Sequence, residues 1–142
     1  MKNHNPNDTI FTVITGAEAE TIIPKPTEWI IEKIYPMGFK TILAGTTGAN
    51  KSIYAMQEGM SIANDEDSFL GFDIMQKGLS VLFVDTEVGL KELIKRYHRI
   101  KNNFTNWGKG IDRFNMLSKK GSFSNIWNEL KQHVEKYKPD VL

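Results

Sequence analysis

The sequence predicts an α/β fold with a mostly parallel sheet flanked by helices. Three observations predict it. Strand-like and helix-like segments alternate along the chain. Leu79 to Val84 (LSVLFV) is almost continuously apolar, as a strand covered on both faces requires. Thr41 to Ala44 (TILA) is a second short apolar run that suits a buried strand, and a glycine turn followed by a helical pattern comes straight after it.

At 142 residues the chain is at most one ordinary domain, and 40% hydrophobic with 25% charged residues is the composition of a soluble globular protein. A net charge of +1 gives no global attraction to nucleic acid or membrane. The charge is uneven, however. Residues 1–89 hold six Lys/Arg against twelve Asp/Glu, and residues 90–142 hold twelve against five. The basic C-terminal part either faces a polyanion or simply forms solvated helix faces. The absence of cysteine excludes disulfides, thiolate metal sites and cysteine nucleophiles, and fits a cytoplasmic protein. The N-terminus is too polar for a signal peptide, and no apolar run is long enough to span a membrane.

The elements follow in order. Residues 1–26 read as a polar N-terminal segment, partly disordered, with a strand-like stretch at 10–15 and an extended connector from Gly16 to Pro26. Residues 27–142 form the domain. Thr27 to Tyr35 (TEWIIEKIY) reads as a short helix with Thr27 as N-cap, closed by a Pro36-Met37-Gly38 turn. After Ser52, the residues Ile53, Met56, Met60 and Ala63 repeat at helical spacing, and Gly59 marks close packing. Asn64 to Asp67 lacks the spacing of a calcium loop and reads as a solvated acidic loop. Leu90 to Lys101 is the clearest helix, with Leu90, Leu93, Ile94, Tyr97 and Ile100 on one face. Arg113 to Leu117 reads as a short strand, Ser122 to Tyr137 as an amphipathic helix, and Asp140 to Leu142 as the opening of another buried strand.

Chemistry concentrates in two places. The first is Gly45-Thr46-Thr47-Gly48-Ala49-Asn50-Lys51-Ser52, where strand, glycine loop, Lys-Ser and helix have the layout of a phosphate-binding loop. Glycines let backbone N–H groups close around phosphate oxygens, and the helix N-terminus adds partial positive charge. The lysine reaches the terminal phosphates and the serine hydroxyl ligates Mg²⁺. Asn50 stands where the strict pattern has a second glycine; asparagine is the side chain best suited to a left-handed backbone. The second place is Asp85-Thr86-Glu87, at the C-terminal end of the second strand. Carboxylates there suit a ligand site, with the phosphate-loop strand expected as that strand's partner; the competing reading is that they cap the next helix.

These segments together resemble the RecA-like P-loop ATPases, most closely the RepA-like AAA-domain proteins of plasmid and phage replication. The residues that carry the resemblance are TEWIIEKIYPMG, KTILAGTTGANKS, FLGF with KGLSVLFVDTE, GLKELIKRYHRI with Arg96 near a recurring arginine, and KYKPDVL. It covers roughly Thr27 to Leu142. The resemblance implies ATP and Mg²⁺ as ligands, Glu87 as the base that activates water, Lys51 on the β/γ-phosphates, Ser52 on the metal and Asp85 supporting the metal's water shell. It also implies a DNA-linked, helicase-type role and assembly into a homo-oligomeric ring, and it places the Walker B aspartate beyond Leu142, so the chain reads as the N-terminal portion of a RecA-like core. Two other readings compete: a non-catalytic nucleotide-sensing or assembly module with a degenerate loop, and a small α/β domain whose glycine turn binds nothing. No motif in the chain reads bases directly.

Overall fold

A computed structural model describes residues 13–120 and 123–142. Residues 10–12 of the strand-like stretch lie outside it. Of the remainder, Thr15 starts a helix: α1 (Gly16–Thr21) replaces the expected connector. The reason is a local signal. Thr15 and Glu18 form a reciprocal capping box, in which Glu18 N donates to Thr15 Oγ1 at 3.2 Å and Thr15 N donates to Glu18 Oε2 at 2.7 Å.

The segment expected as a helix at 27–35 is instead an irregular hairpin, β1 (Trp29–Ile31) and β2 (Tyr35–Pro36), turned through Lys33 at φ 60°. Its β-branched isoleucines favour extended backbone. Ile31 also bridges Ile74, and Met75 N donates to Ile30 O at 2.9 Å, so tertiary pairing overrides the helical spacing.

The phosphate-loop strand is the largest departure. Thr41 to Ala44 is not in a strand, and Ile42 and Leu43 are 89% and 47% exposed. An apolar run becomes a strand only when a ladder supplies its hydrogen bonds, and among the described residues none pairs with this one. The partner of β5 (Val81–Asp85) is therefore not this segment. It is β6 (Phe114–Ser118), parallel and in continuous register from Val81 opposite Phe114 to Asp85 opposite Ser118. Val141 adds a parallel bridge to Val81 on the other side of β5, as the expected strand opening at Asp140 requires. Asp140 anchors that bridge by accepting from Ser80 N and Ser80 Oγ, both at 2.8 Å.

The helices follow the periodicity closely. α2 (Lys51–Ala63) buries Met56, Met60 and Ala63. Gly59 is the close approach its position suggested, because a Cβ there would lie 3.1 Å from Val81 Cγ1 and 3.2 Å from Phe114 Cε2. α3 (Leu90–Lys101) buries Leu93 and Ile100, while Leu90 and Ile94 of the same stripe stay exposed. The four-residue α4 (Gly110–Arg113) leads into β6, and α5 (Phe123–Tyr137) buries Ile126 and Leu130. The FLGF segment forms the small hairpin β3 (Ser68–Phe69) and β4 (Phe72–Asp73).

The core joins α2, β5, β6 and α3 through Met56, Met60, Val81, Phe114, Leu93 and Ile100. Trp107 closes one end, donating from Nε1 to Tyr97 Oη at 2.8 Å. In the acidic loop after α2, Asp67 is solvated as expected, but Asp65 is a tie. Asp65 accepts from both Arg113 nitrogens, Nη1 at 3.0 Å and Nη2 at 2.9 Å, and from Gly78 N at 2.7 Å. These contacts hold the Asp65 carboxyl down at about 2.

Candidate nucleotide-binding cleft

The site starts at the loop between Gly45 and Lys51. Gly48 lies at φ +83°, where glycine carries no steric cost. Asn50 follows at φ 56°, ψ 24°, the left-handed conformation, and is the N-cap of α2 although its side chain makes no capping bond. Asparagine therefore occupies the glycine position of the strict pattern in a conformation that asparagine tolerates better than other side chains. A Cβ at Gly45 would stand 3.4 Å from Ala49 Cβ and 3.6 Å from Lys51 Cδ, ordinary contact distances.

Lys51 opens α2 and folds back over the loop. Its Nζ donates to Gly45 O and Thr46 O, both at 2.9 Å. The loop's own carbonyls thus hold the cation at the N-terminus of a 13-residue helix, whose partial positive charge favours an anion. Ser52 is half-buried in the same first turn.

A cleft of about 300 Å³ lies against this turn. It is lined by Thr47, Gly48, Ala49, Asn50, Lys51 and Ser52 from one side and by Glu87 and Arg96 from the other. The fold therefore brings the loop and Glu87 together without pairing their strands. α2 packs on β5, and Glu87 leaves the C-terminal end of β5 toward the start of α2.

Gly45, Thr46 and Asp85 do not line the cleft. Gly45 and Thr46 face Lys51 with their carbonyls. Asp85 is buried, and its Oδ2 accepts from Val88 N at 3.1 Å and Gly89 N at 3.3 Å. That is a turn-fixing geometry, and it sets the bend between β5 and α3 on which Glu87 stands.

Arg96 is the lining residue that residue-by-residue reading left without a role. It sits two turns into α3, a quarter exposed, with Nε 3.8 Å from Glu92 Oε1. Its signals in the sequence were an arginine on the polar side of an amphipathic helix and, by resemblance, a place near a recurring arginine; the direction α3 takes from the Asp85 turn is what brings it to the loop.

The donor set fits a phosphorylated nucleotide with a hard cation: a helix N-terminus, a lysine, an arginine, a hydroxyl and one carboxylate around a polar cleft. Among the described residues, no cluster of three His, Cys, Asp or Glu side chains is placed to hold a metal by itself. A cation here would share its ligands with phosphate oxygens.

A glycine loop and Lys-Ser at a helix N-terminus, with a carboxylate opposite, are the features of a P-loop nucleotide-binding domain of the ATPase type. The chain belongs to the AAA domain family, whose model matches residues 10–142. No curated protein and no solved structure matches it. Among the described residues, no helix is long and apolar enough to cross a membrane.

Proposed function

We propose that the chain is the ATP-binding part of a RecA-like ATPase that takes Mg-ATP into this cleft. The observation that carries the reading is the convergence of Lys51, Ser52, Glu87 and Arg96 on one cleft around a loop that turns through Gly48 and Asn50. Lys51 exchanges the carbonyls of Gly45 and Thr46 for the β/γ-phosphate oxygens. Ser52 Oγ would hold Mg²⁺, which when bound would neutralise phosphate charge. Glu87 orients the attacking water and accepts its proton. Arg96 adds positive charge on the side of the cleft facing the loop. Asp85 positions Glu87 through the β5–α3 turn.

By family resemblance the protein works in the cytoplasm on DNA in replication, as a helicase-type homo-oligomer, with no membrane component. A DNA-stimulated ATPase rate tests that role; a rate indifferent to DNA refutes it. The alternative reading, a nucleotide-sensing module without turnover, is favoured by one feature: Thr41 to Ala44 is unpaired, so no described ladder anchors the loop to the sheet.

Calorimetry with Mg-ATP on the wild type, Lys51→Ala and Glu87→Gln tests the proposal. We expect binding to be lost in the first variant and retained without turnover in the second. Binding that survives Lys51→Ala overturns the assignment of the loop. Equal wild-type and Glu87→Gln turnover removes Glu87 from the chemistry, and an absence of turnover in both leaves the sensing module as the function.

A further inference from the structure

The C-terminal half of α2 borders a second cleft. It encloses about 200 Å³ between Gln57 and Ser61 of α2, the β3–β4 hairpin and the residues that follow α3. Ser61 stands about three turns, or roughly 15 Å, along the helix from Lys51, so this cleft is separate from the phosphate loop.

Two observations mark it as a site. Ser61 lines the cleft while only 5% exposed, and among the described residues its hydroxyl has no hydrogen-bond partner. A buried hydroxyl is costly until a group in the cleft completes it. Leu70, on the rim, is held at φ 51°, a left-handed backbone that leucine adopts at a cost, yet its side chain is 65% exposed. The turn thus sets an apolar group at the mouth of the cleft and not in the core.

The lining sets the class of ligand. Among the described residues no lysine or arginine lines the cleft, whereas Glu66 does, so an anion is disfavoured there. Glu66 accepts from Asn64 Nδ2 at 2.6 Å with one carboxylate oxygen, and the other has no partner among the described residues. An accepting carboxylate suits ribose hydroxyls. Gln57 and Asn103 bring amides, each both donor and acceptor, which suit the edge of a nucleobase. Phe104, from the loop after α3, supplies an aromatic surface for a flat ring.

We propose that this cleft binds one unphosphorylated nucleoside, its base against Phe104 with an edge on Gln57 and Asn103, and its ribose hydroxyls on Glu66 and Ser61. The volume is below the roughly 300–1,000 Å³ of a drug-sized site, so part of the ligand stays at the mouth beside Leu70. The assignment holds whether or not the cleft beside Lys51 takes Mg-ATP.

Nitrogen-15 NMR of the 142-residue chain, titrated with adenosine, guanosine, cytidine and uridine, tests it. We expect at least one nucleoside to shift the amide signals of Gln57, Ser61, Glu66 and Asn103, in the wild type and in Lys51→Ala alike. The monophosphate of that nucleoside should bind about ten-fold more weakly, because no cation meets its phosphate and Glu66 repels it. Ribose alone should also bind more weakly, having no ring for Phe104. Gln57→Ala and Asn103→Ala change exposed positions, so circular dichroism should show both folded, and each should weaken binding several-fold. Ser61→Val should abolish it by filling the cleft. No shift with any of the nucleosides, shifts confined to Thr47–Ser52, a monophosphate or ribose bound as tightly as the nucleoside, or folded Gln57 and Asn103 variants that bind like the wild type overturns the proposal.

Discussion

Asp65→Asn tests the tie that holds the far end of α2. Asp65 accepts two hydrogen bonds from Arg113 and one from Gly78 N, and Lys109 Nζ stands 3.4 Å away. Its side chain is only 12% exposed, so solvent screens these contacts little. The Arg113 hydrogen bond is the main cause that lowers its pKa from 3.8 to about 2. By linkage that difference is worth about 2 kcal/mol of folding stability at neutral pH. The sign follows from the direction of the shift. A depressed carboxylate stabilises the fold above its unfolded pKa of 3.8 and loses that contribution as pH falls toward about 2. At a pH near 3 about half, roughly 1 kcal/mol, remains. Urea unfolding of the wild type and Asp65→Asn at pH 7 and near pH 3 measures both values. The variant should be less stable by about 2 kcal/mol at pH 7, and the gap should narrow in acid. Equal stability at pH 7, or a gap that does not shrink with pH, would refute the reasoning.

Two further predictions concern backbone and packing. Asn50→Gly should leave stability within about 1 kcal/mol of wild type, while Asn50→Ala should cost about 1 kcal/mol and weaken Mg-ATP binding, because alanine resists the left-handed conformation at φ 56°; thermal melts and calorimetry on the two variants check the order. Gly110→Ala would drive a Cβ into the Trp107 ring, and Gly110 N also donates to Asn64 Oδ1 at 3.0 Å, so chemical denaturation should show a loss of about 1–3 kcal/mol.

The sequence by itself determined the parts whose signals are local. The spacing of Leu93, Tyr97 and Ile100 produced α3 with the bounds expected of it. The continuous apolar run to Val84 produced β5, Gly59 marked a close helix–strand approach, and the Lys51-Ser52 pair opened a helix. Even Asn50 was legible, because only a few side chains tolerate φ > 0. The capping box at Thr15 was equally local and equally readable, but the two prolines that follow made an extended connector the stronger expectation.

Tertiary structure decided what depends on a partner. TEWIIEKIY has helical spacing and strand-forming residues at once, and pairing of the Ile30–Ile31 segment with Ile74 and Met75 settled it as a hairpin. Thr41 to Ala44 has the composition of a strand, but a strand exists only where a second backbone completes its hydrogen bonds, and β5 pairs with β6 instead. The same distinction divides the cleft. The loop, Lys51 and Ser52 are contiguous in sequence and were visible there. Arg96 reaches the cleft because Asp85 fixes the bend into α3, and that bend made a carboxylate at a strand end a turn-holder and its neighbour Glu87 the residue that faces the loop. Covalent neighbours fix backbone preference within a few residues, whereas the direction in which an element leaves a turn is set by the packing it meets.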